Sequence, residues 1–294
     1  MRLIIPGSQG ILAYPISKNT GIPMGYAELE KLPDGEKYVR IPEQVAGKEI
    51  FLVNSFAYTP DEMIIETLFL IDTFKELGSE KIIGIFPYFP YSRLMRRFIK
   101  GEAAKLRTVS KLFKTAGLEK MYVVDFHLQN VDEIFDFEVV NISAMPLIAD
   151  YITKNFELDS PVVVGADQVA EHWAKIVAEK LGCEYRLMRK IRIDAENVVV
   201  DSVPEVANMD VVIIDDIIST GGTVVQAIKA LKSAGARRIY AACTHPVLSR
   251  EALKMIYHVG IDGIIGTDTV LSPISHVSVS GLISESIKEN EGFV

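Results

Sequence analysis

The stretch Asp210–Gln226, which reads DVVIIDDIISTGGTVVQ, decides the fold. Its residues Val211–Ile214 are apolar and β-branched, which predicts a buried strand. The glycines and hydroxyl residues of Ser219–Thr223 predict a turn, and the helical spacing from Val224 to Leu231 predicts a helix. A strand, a Gly-rich turn and a helix in this order are typical of an α/β protein.

The turn of this stretch has the features of an anion-binding loop. Gly221 and Gly222 let backbone N–H groups turn towards a phosphate, and the hydroxyls of Ser219, Thr220 and Thr223 add donors. The amino end of the following helix adds a favourable partial charge. We therefore expect a phosphate group here.

Two carboxylates, Asp215 and Asp216, stand where the predicted strand ends. They do not serve the phosphate, because like charges repel, but carboxylates at the carboxyl end of a strand suit sugar hydroxyls or a metal ion. A phosphate together with a vicinal diol indicates a ribose phosphate. The alternative is a strand end followed by an ordinary turn.

The whole chain has 294 residues and a formal net charge of −8. This length allows two domains of about 100–200 residues each. The negative charge argues against a nucleic-acid partner, and no apolar stretch reaches the ~18–20 residues that cross a bilayer. The amino-terminal sequence turns to Pro and Gly too soon for a signal peptide, so the cytoplasm is the expected location. Cys183 and Cys243 are expected to be buried thiols without a disulfide.

Predicted strands alternate with predicted helices nearly throughout, which favours an α/β fold with mostly parallel strands. The unit of helix, glycine, charged step and strand occurs three times, with Gly78, Gly117 and Gly235 as the residues that end the helix. The repetition suggests two similar domains, with a boundary near Asn141–Met145. A last amphipathic helix is predicted at Leu282–Lys288, and its packing partner is left open.

Five further stretches carry groups suited to a nucleotide site. Asp34, Gly35 and Glu36 lie in an Asp-Gly turn, which by itself predicts a hairpin. The segment 87–100 leaves a predicted strand and becomes aromatic and then basic, and it contains Arg93 and Arg96. Arg side chains can donate paired hydrogen bonds to phosphate oxygens or stack on a purine base. The alternative is a solvated basic loop.

The other three stretches follow further predicted strands. Asp125 and His127 are two residues apart, hence on one side of an extended chain, and His127 could donate to a phosphate or ligate a metal. Asp167 could hold Mg²⁺ or cap the next helix, and these roles are compatible. Lys190 and Arg192 alternate in a predicted extended segment, where two cations would suit a transferring phosphoryl group or form an exposed basic face.

Taken in order, several stretches resemble those of the ribose-phosphate pyrophosphokinase family: PDGE (33–36), PYFPYSRLMRR (87–97), DFH (125–127) with IFDF (134–137), GADQ (165–168), KIR (190–192), IDDIISTGGT (214–223) and CTHPVLS (243–249). The resemblance implies two phosphoribosyltransferase-like domains, each a mostly parallel sheet flanked by helices. It places an ATP-side domain at residues 1–141 and a ribose 5-phosphate-side domain at 142–294, with a last helix in 282–294 that could instead pack on the first domain.

The resemblance also implies an activity, a cofactor and an assembly. The β,γ-diphosphate of ATP would move to the 1-hydroxyl of ribose 5-phosphate with Mg²⁺, in a homo-oligomer of at least two subunits. Carried over by motif, the expected ATP-binding residues are Asp34, Gly35, Glu36, Arg93, Arg96 and His127, with Asp34–Glu36 reaching a neighbouring subunit. The expected metal-binding residues are His127 and Asp167, and the expected catalytic residues are Lys190 and Arg192. Ribose 5-phosphate would be bound by Asp215, Asp216, Ser219, Thr220, Gly221, Gly222 and Thr223.

The chain departs from common bacterial and animal members at three points. It has Leu94-Met95 after the first Arg, Gln168-Val169-Ala170 after the second-domain Asp, and Ser219 at the start of the phosphate loop. These departures resemble the archaeal branch and put control by ADP or phosphate in doubt. Two alternative functions stay open, a type I phosphoribosyltransferase that consumes phosphoribosyl diphosphate and a catalytically silent regulatory subunit of the same fold.

Overall fold

A computed structural model describes residues 1–93, 100–128, 131–192 and 198–293, with the backbone alone at 132, 189–192 and 198–202. The chain divides into two compact units. The first consists of Met1–Ile142 together with Ser280–Val294, and the second of Ser143–Val279. The last helix, Ser280–Asn290, belongs to the first unit, which is the alternative packing that the sequence left open.

The first unit is built on a parallel sheet with the strand order β1-β4-β5-β6-β7. Its strands are β1 Arg2–Pro6, β4 Glu49–Val53, β5 Lys81–Ile85, β6 Lys120–Val124 and β7 Glu138–Ile142, and a separate antiparallel hairpin consists of β2 Glu28–Lys31 and β3 Lys37–Arg40. The helices are α1 Ala13–Thr20, α2 Pro60–Glu76, α3 Lys105–Ala116 and α8 Ser280–Asn290, and Val131–Glu133 forms a short 3-10 helix.

Both faces of this sheet are covered. Helices α2 and α3 pack on one face over a cluster of phenylalanines that includes Phe56, Phe86, Phe89 and Phe113. Helices α1 and α8 contact each other, and they reach the sheet at β1 and β7 respectively. Strands covered on both sides read as continuous apolar runs, which explains why β1, β4, β5 and β6 could be predicted from the sequence.

The second unit is built on a parallel sheet with the order β15-β14-β13-β12-β8-β9. Its strands are β8 Pro161–Gly165, β9 Glu184–Leu187, β12 Asp210–Ile217, β13 Arg238–His245, β14 Gly263–Thr267 and β15 Ser275–Val277, and an antiparallel pair consists of β10 Arg189–Arg192 and β11 Val198–Ser202. The helices are α4 Met145–Asn155, α5 Glu171–Leu181, α6 Gly222–Ser233 and α7 Ala252–His258.

Side chains of β12 point alternately into two hydrophobic cores, one on each face of this sheet. Val211 and Ile213 face α6 and α7, whereas Val212 and Ile214 face α4 and α5. The predicted α/β class with mostly parallel sheets is confirmed. The three glycines predicted to end helices, Gly78, Gly117 and Gly235, have φ of 81°, 120° and 84°.

Two smaller predictions concern the cysteines and the membrane. Both thiols are free, and Cys243 is buried as expected, whereas Cys183 is only partly buried. Among the described residues, no helix combines the length and the apolarity needed to cross a membrane.

Candidate active site

The acidic pair lies inside β12 and not after it. We expected the strand to end at Ile214, but it continues to Ile217 because its parallel partner β13 continues to His245. Asp215 is opposite Cys243 in this register. Asp216 is buried, with 2 % of its surface exposed, whereas Asp215 is partly exposed. Of the two, Asp215 is therefore the residue that a ligand can reach.

The predicted Gly-rich turn and helix are present at 219–233. Gly221 precedes α6 with φ of 76°, a left-handed conformation that a residue with a Cβ rarely adopts. A Cβ added to Gly221 would lie 3.3 Å from both the Cβ and the carbonyl oxygen of Ala252. Thr220, Gly222 and Thr223 are exposed, and no side chain caps this helix end. The first N–H groups of a helix have no acceptor within the helix, so this end can receive an anion.

A segment from β13 to α7 supports this loop from the side. Ile218 donates its N–H to the carbonyl of His245 at 3.1 Å, and its own carbonyl accepts the N–H of Leu248 at 2.9 Å. The N–H of Ser249 donates to the carbonyl of Ser219 at 3.0 Å. The Oγ atoms of Ser219 and Ser249 are 3.4 Å apart. The motif 243–249 was part of the family resemblance, but no role was predicted for it.

Asp167 is brought next to the acidic pair by the topology of the second unit. Strand β8 pairs with β9 on one side and with β12 on the other, so the order of the chain reverses between β8 and β12. Ligands of α/β sheets bind outside the carboxyl ends of the strands at such a switch point. Gly165 is opposite Ile214 there, which puts Asp167 and Asp215 at the same crevice.

Asp167 lies in the turn before α5 and does not cap this helix, whose amino end has no side-chain cap. Its Oδ1 accepts the N–H groups of Val169 and Ala170 at 2.9 and 3.2 Å, just before α5. Both bonds involve the same oxygen, so Oδ2 is the atom that could meet a metal ion. No three His, Cys, Asp or Glu side chains form a ready-made metal site in the part of the chain that the structure describes. Mg²⁺ does not require one, since it is usually held by one or two carboxylates together with substrate phosphates.

In the first unit, the predicted Asp-Gly hairpin is confirmed as β2–β3. Its tip is exposed, and the N–H of Glu36 donates to Oδ1 of Asp34 at 3.1 Å across Gly35, whose φ is 96°. A cavity of about 560 Å³ lies between this tip and α2, lined on the helix side by Asp61, Glu62, Ile65 and Phe69.

The hairpin is tied to the sheet by Glu66 of α2, a buried carboxylate that sequence reasoning missed. Glu66 accepts the N–H and the hydroxyl of Ser8, both within 2.8 Å, and the ammonium of Lys37 at 2.9 Å. Lys37 also contacts Glu62 at 3.2 Å. Burial by itself would lower the pKa of Lys37, but the hydrogen bonds and charges of Glu66 and Glu62 raise it above 10.5.

The remaining ATP-side residues follow β5 and β6. Arg93 is exposed and His127 is partly buried, whereas Arg96 lies outside the described residues. The expected extended geometry of 125–127 is wrong, because Asp125 has φ of 38° and bends the chain directly after β6. Asp125 itself is 2 % exposed and donates its N–H to Ile142.

Lys190 and Arg192 lie two residues apart on β10, so the predicted extended backbone is confirmed. Their side chains lie outside the described part of the structure, and their predicted catalytic role stays a prediction.

Family models and individual relatives of this chain all indicate the same protein family. Residues 1–117 match the family described as the N-terminal domain of ribose phosphate pyrophosphokinase, and residues 130–276 match the phosphoribosyl transferase domain. The chain is 42% identical to ribose-phosphate pyrophosphokinase 1 of Archaeoglobus fulgidus, over 98% of this chain and all of that protein. It is 41% identical to the ribose-phosphate pyrophosphokinase of Methanothermobacter thermautotrophicus, over 91% and 93% of the two chains.

A solved structure extends this similarity to the fold of the whole chain. Phosphoribosylpyrophosphate synthetase from Mycobacterium smegmatis matches with a TM-score of 0.88 and 28% identity, over 98% of this chain and 97% of that one.

Proposed function

Because the chain belongs to the ribose-phosphate pyrophosphokinase family, we propose that it transfers the β,γ-diphosphate of ATP to the 1-hydroxyl of ribose 5-phosphate. The products are AMP and 5-phosphoribosyl 1-diphosphate, a precursor in nucleotide biosynthesis. The observation that carries this proposal is the loop 215–223 at the switch point of the second sheet, in a chain similar over its full length to this family.

Ribose 5-phosphate binds at this loop in the second unit. Asp215, the partly exposed member of the acidic pair, accepts hydrogen bonds from the ribose hydroxyls, and residues 219–223 hold the 5-phosphate through backbone N–H groups and hydroxyls. The exposed amino end of α6, without a capping side chain, supports this assignment.

ATP binds through the first unit. The exposed tip Asp34–Glu36 contacts the adenine side, Arg93 and Arg96 bind the base and the phosphates, and His127 serves the metal-bound triphosphate. The tip acts on the ATP of a neighbouring subunit in a homo-oligomer of at least two chains.

Mg²⁺ fits the residues present. Asp167 offers one carboxylate oxygen at the switch point, and His127 offers a ring nitrogen at the carboxyl edge of the first sheet. The ion neutralises charge on the triphosphate when bound.

The reaction is a displacement at the β-phosphorus of ATP. The 1-hydroxyl oxygen of ribose 5-phosphate forms a bond to this phosphorus and gives up its proton to solvent water. The bond between the β-phosphorus and the oxygen bridging the α- and β-phosphates breaks, and AMP leaves with that oxygen. Lys190 and Arg192 stabilise the negative charge that develops on the transferring group. Positioning and charge stabilisation supply most of the rate, as is general for phosphoryl transfer.

An assay of nucleotide products tests the proposal. The purified chain with ATP, ribose 5-phosphate and Mg²⁺ should release AMP, and omitting ribose 5-phosphate should abolish the release. Diphosphate release that depends on an added nucleobase and on phosphoribosyl diphosphate would instead identify a phosphoribosyltransferase. A chain that is inactive alone but changes the activity of a second subunit would identify a regulatory subunit.

A further inference from the structure

Arg250 lies beside the loop 219–223 and is held there from both sides. The preceding residue, Ser249, donates its N–H to the carbonyl of Ser219 at 3.0 Å. Two residues after Arg250, Ala252 packs on Gly221 so closely that a Cβ on Gly221 would meet it at 3.3 Å. Neighbours on each side of Arg250 thus contact the start and the middle of the loop.

The backbone at Arg250 is strained. Arg250 has φ of 58° and Leu248 has φ of 46°, left-handed conformations that cost energy in residues other than glycine. Nothing in the packing requires the long side chain of Arg250, since it is exposed. Strain that persists beside a functional loop is a reason to look for a role of the residue that bears it.

The charge of Arg250 is not paired within the part of the chain that the structure describes. In the described residues its guanidinium has no hydrogen bond and no carboxylate partner, although Lys254 of the next helix turn pairs with Glu251 at 3.0 Å. The loop 215–223 contains two carboxylates and no Lys or Arg. A phosphate monoester bound there would have only backbone dipoles and hydroxyls to balance its two negative charges.

We infer that Arg250 is a further substrate-binding residue, whose guanidinium binds the 5-phosphate of the acceptor sugar. This inference rests on the proposed function and deepens it. The planar guanidinium offers paired N–H donors that match phosphate oxygens, and a hydrogen bond to a charged group is about twice as strong as a neutral one. The arginine supplies the positive charge that the loop lacks.

Three variants test the role. Arg250→Gly should raise the KM for ribose 5-phosphate roughly tenfold or more, with the KM for ATP unchanged, because a charged hydrogen bond is lost. Arg250→Lys should show a smaller rise in the same KM, because it keeps the charge but not the fork. The matched control Lys254→Gln removes a neighbouring exposed cation and should leave both constants unchanged.

Thermal unfolding separates binding from folding. Arg250→Gly should raise the Tm, because glycine adopts positive φ without strain, while the affinity for ribose 5-phosphate falls. An unchanged KM for ribose 5-phosphate in Arg250→Gly, with wild-type protein that forms AMP, would overturn the inference and leave the proposed function standing. A wild-type chain that forms no AMP would overturn the proposed function, and this inference with it.

Discussion

Glu66 is a fully buried carboxylate whose donors come from two separate parts of the first unit. Ser8 follows β1 at the carboxyl edge of the sheet, and Lys37 begins the second strand of the hairpin. A buried carboxylate is stable only when its oxygens are satisfied. Glu66 therefore fixes the hairpin with its exposed tip Asp34–Glu36 against α2.

Replacing Lys37 tests this connection. Lys37→Met leaves the carboxylate of Glu66 without its cation, so the free energy of unfolding should fall by about 2 kcal/mol and the KM for ATP should rise about tenfold as the tip loses its position. Urea unfolding and steady-state kinetics measure the two effects. The kcat at saturating ATP should change little, because Lys37 positions the tip and does not touch the reacting atoms.

Lys31 provides the matched control for this prediction. Its side chain is 57% exposed and, among the described residues, pairs with Glu62 at 3.2 Å, so Lys31→Met should change stability by less than about 1 kcal/mol. Equal effects of Lys31→Met and Lys37→Met on the KM for ATP would show that the pair with Glu66 does not position the tip.

Residues that are close along the chain could be predicted from the sequence, and residues that meet only in the fold could not. The acidic pair, the Gly-rich turn and the Asp-Gly hairpin each lie within a single stretch, and the structure has them. Glu66 and Lys37 are 29 residues apart, and a Glu on a helix with mixed neighbours carries no local signal of burial. The bend at Asp125 was missed because non-glycine residues rarely adopt positive φ.

Among the elements, the strand β12 shows how tertiary contacts set length. Its apolar run predicts an end at Ile214, but hydrogen bonding to β13 extends it to Ile217 and holds both carboxylates within the sheet. The short strand β15 and strand β7 were not predicted either, because their partly polar sequences form strands only by pairing with a neighbour. Long apolar strands and amphipathic helices could be predicted from their own sequence pattern, without knowledge of the neighbouring strand.

Two adjacent glycines at the start of α6 provide a prediction at this scale. Gly221→Ala introduces a Cβ at positive φ against Ala252, so it should lower the free energy of unfolding by about 2 kcal/mol and reduce activity. Gly222→Ala should keep the stability of the wild type, because a Cβ there meets nothing closer than Thr220 Oγ1 at 3.8 Å. Denaturant titration of both variants gives the comparison.

The two glycine variants also distinguish an effect on stability from an effect on ligand binding. A weaker affinity for ribose 5-phosphate in Gly222→Ala, at unchanged stability, would report crowding of the bound phosphate. Equal stability of the two variants would contradict the packing argument for Gly221.

At the scale of the whole chain, the two units are not two successive halves. The terminal segment returns to the first unit, where Glu291 accepts hydrogen bonds from Lys120 and Tyr122 at 2.7 Å each and from Lys81 at 3.1 Å. The aromatic ring of Phe293 lies 4.4 Å from the guanidinium carbon of Arg2. The amphipathic pattern of α8 predicts a helix but does not identify the unit on which it packs, so this connection could not be read from the sequence.

Acid should weaken this contact of the terminal segment. Burial raises the pKa of Glu291, but hydrogen bonds from Lys120, Tyr122 and Lys81 outweigh it and hold the pKa below 4.5. A carboxyl group whose pKa is lower in the folded than in the unfolded protein stabilises the fold at pH values above its unfolded pKa. This stabilisation is lost as the pH falls through the folded pKa. Glu291→Gln should therefore cost about 2 kcal/mol at pH 7, because Lys120 loses a buried partner.

Urea unfolding of the two proteins at several pH values measures this effect. The difference in the free energy of unfolding between wild type and Glu291→Gln should shrink as the pH falls below 4.5. The control Glu289→Gln changes an exposed carboxylate in the last turn of α8, two residues before Glu291, and should behave like the wild type. A difference that is constant with pH would show that the charge of Glu291 does not stabilise the first unit.

The most direct test of the proposed activity is ³¹P NMR of a reaction that contains the purified chain, ATP, ribose 5-phosphate and Mg²⁺. Transfer of the diphosphate group predicts that the three ATP signals are replaced by one AMP signal and two coupled signals of a diphosphate ester, while the 5-phosphate signal persists. The appearance of ADP signals together with a second phosphate monoester on the sugar would show transfer of a single phosphoryl group and would contradict the assignment.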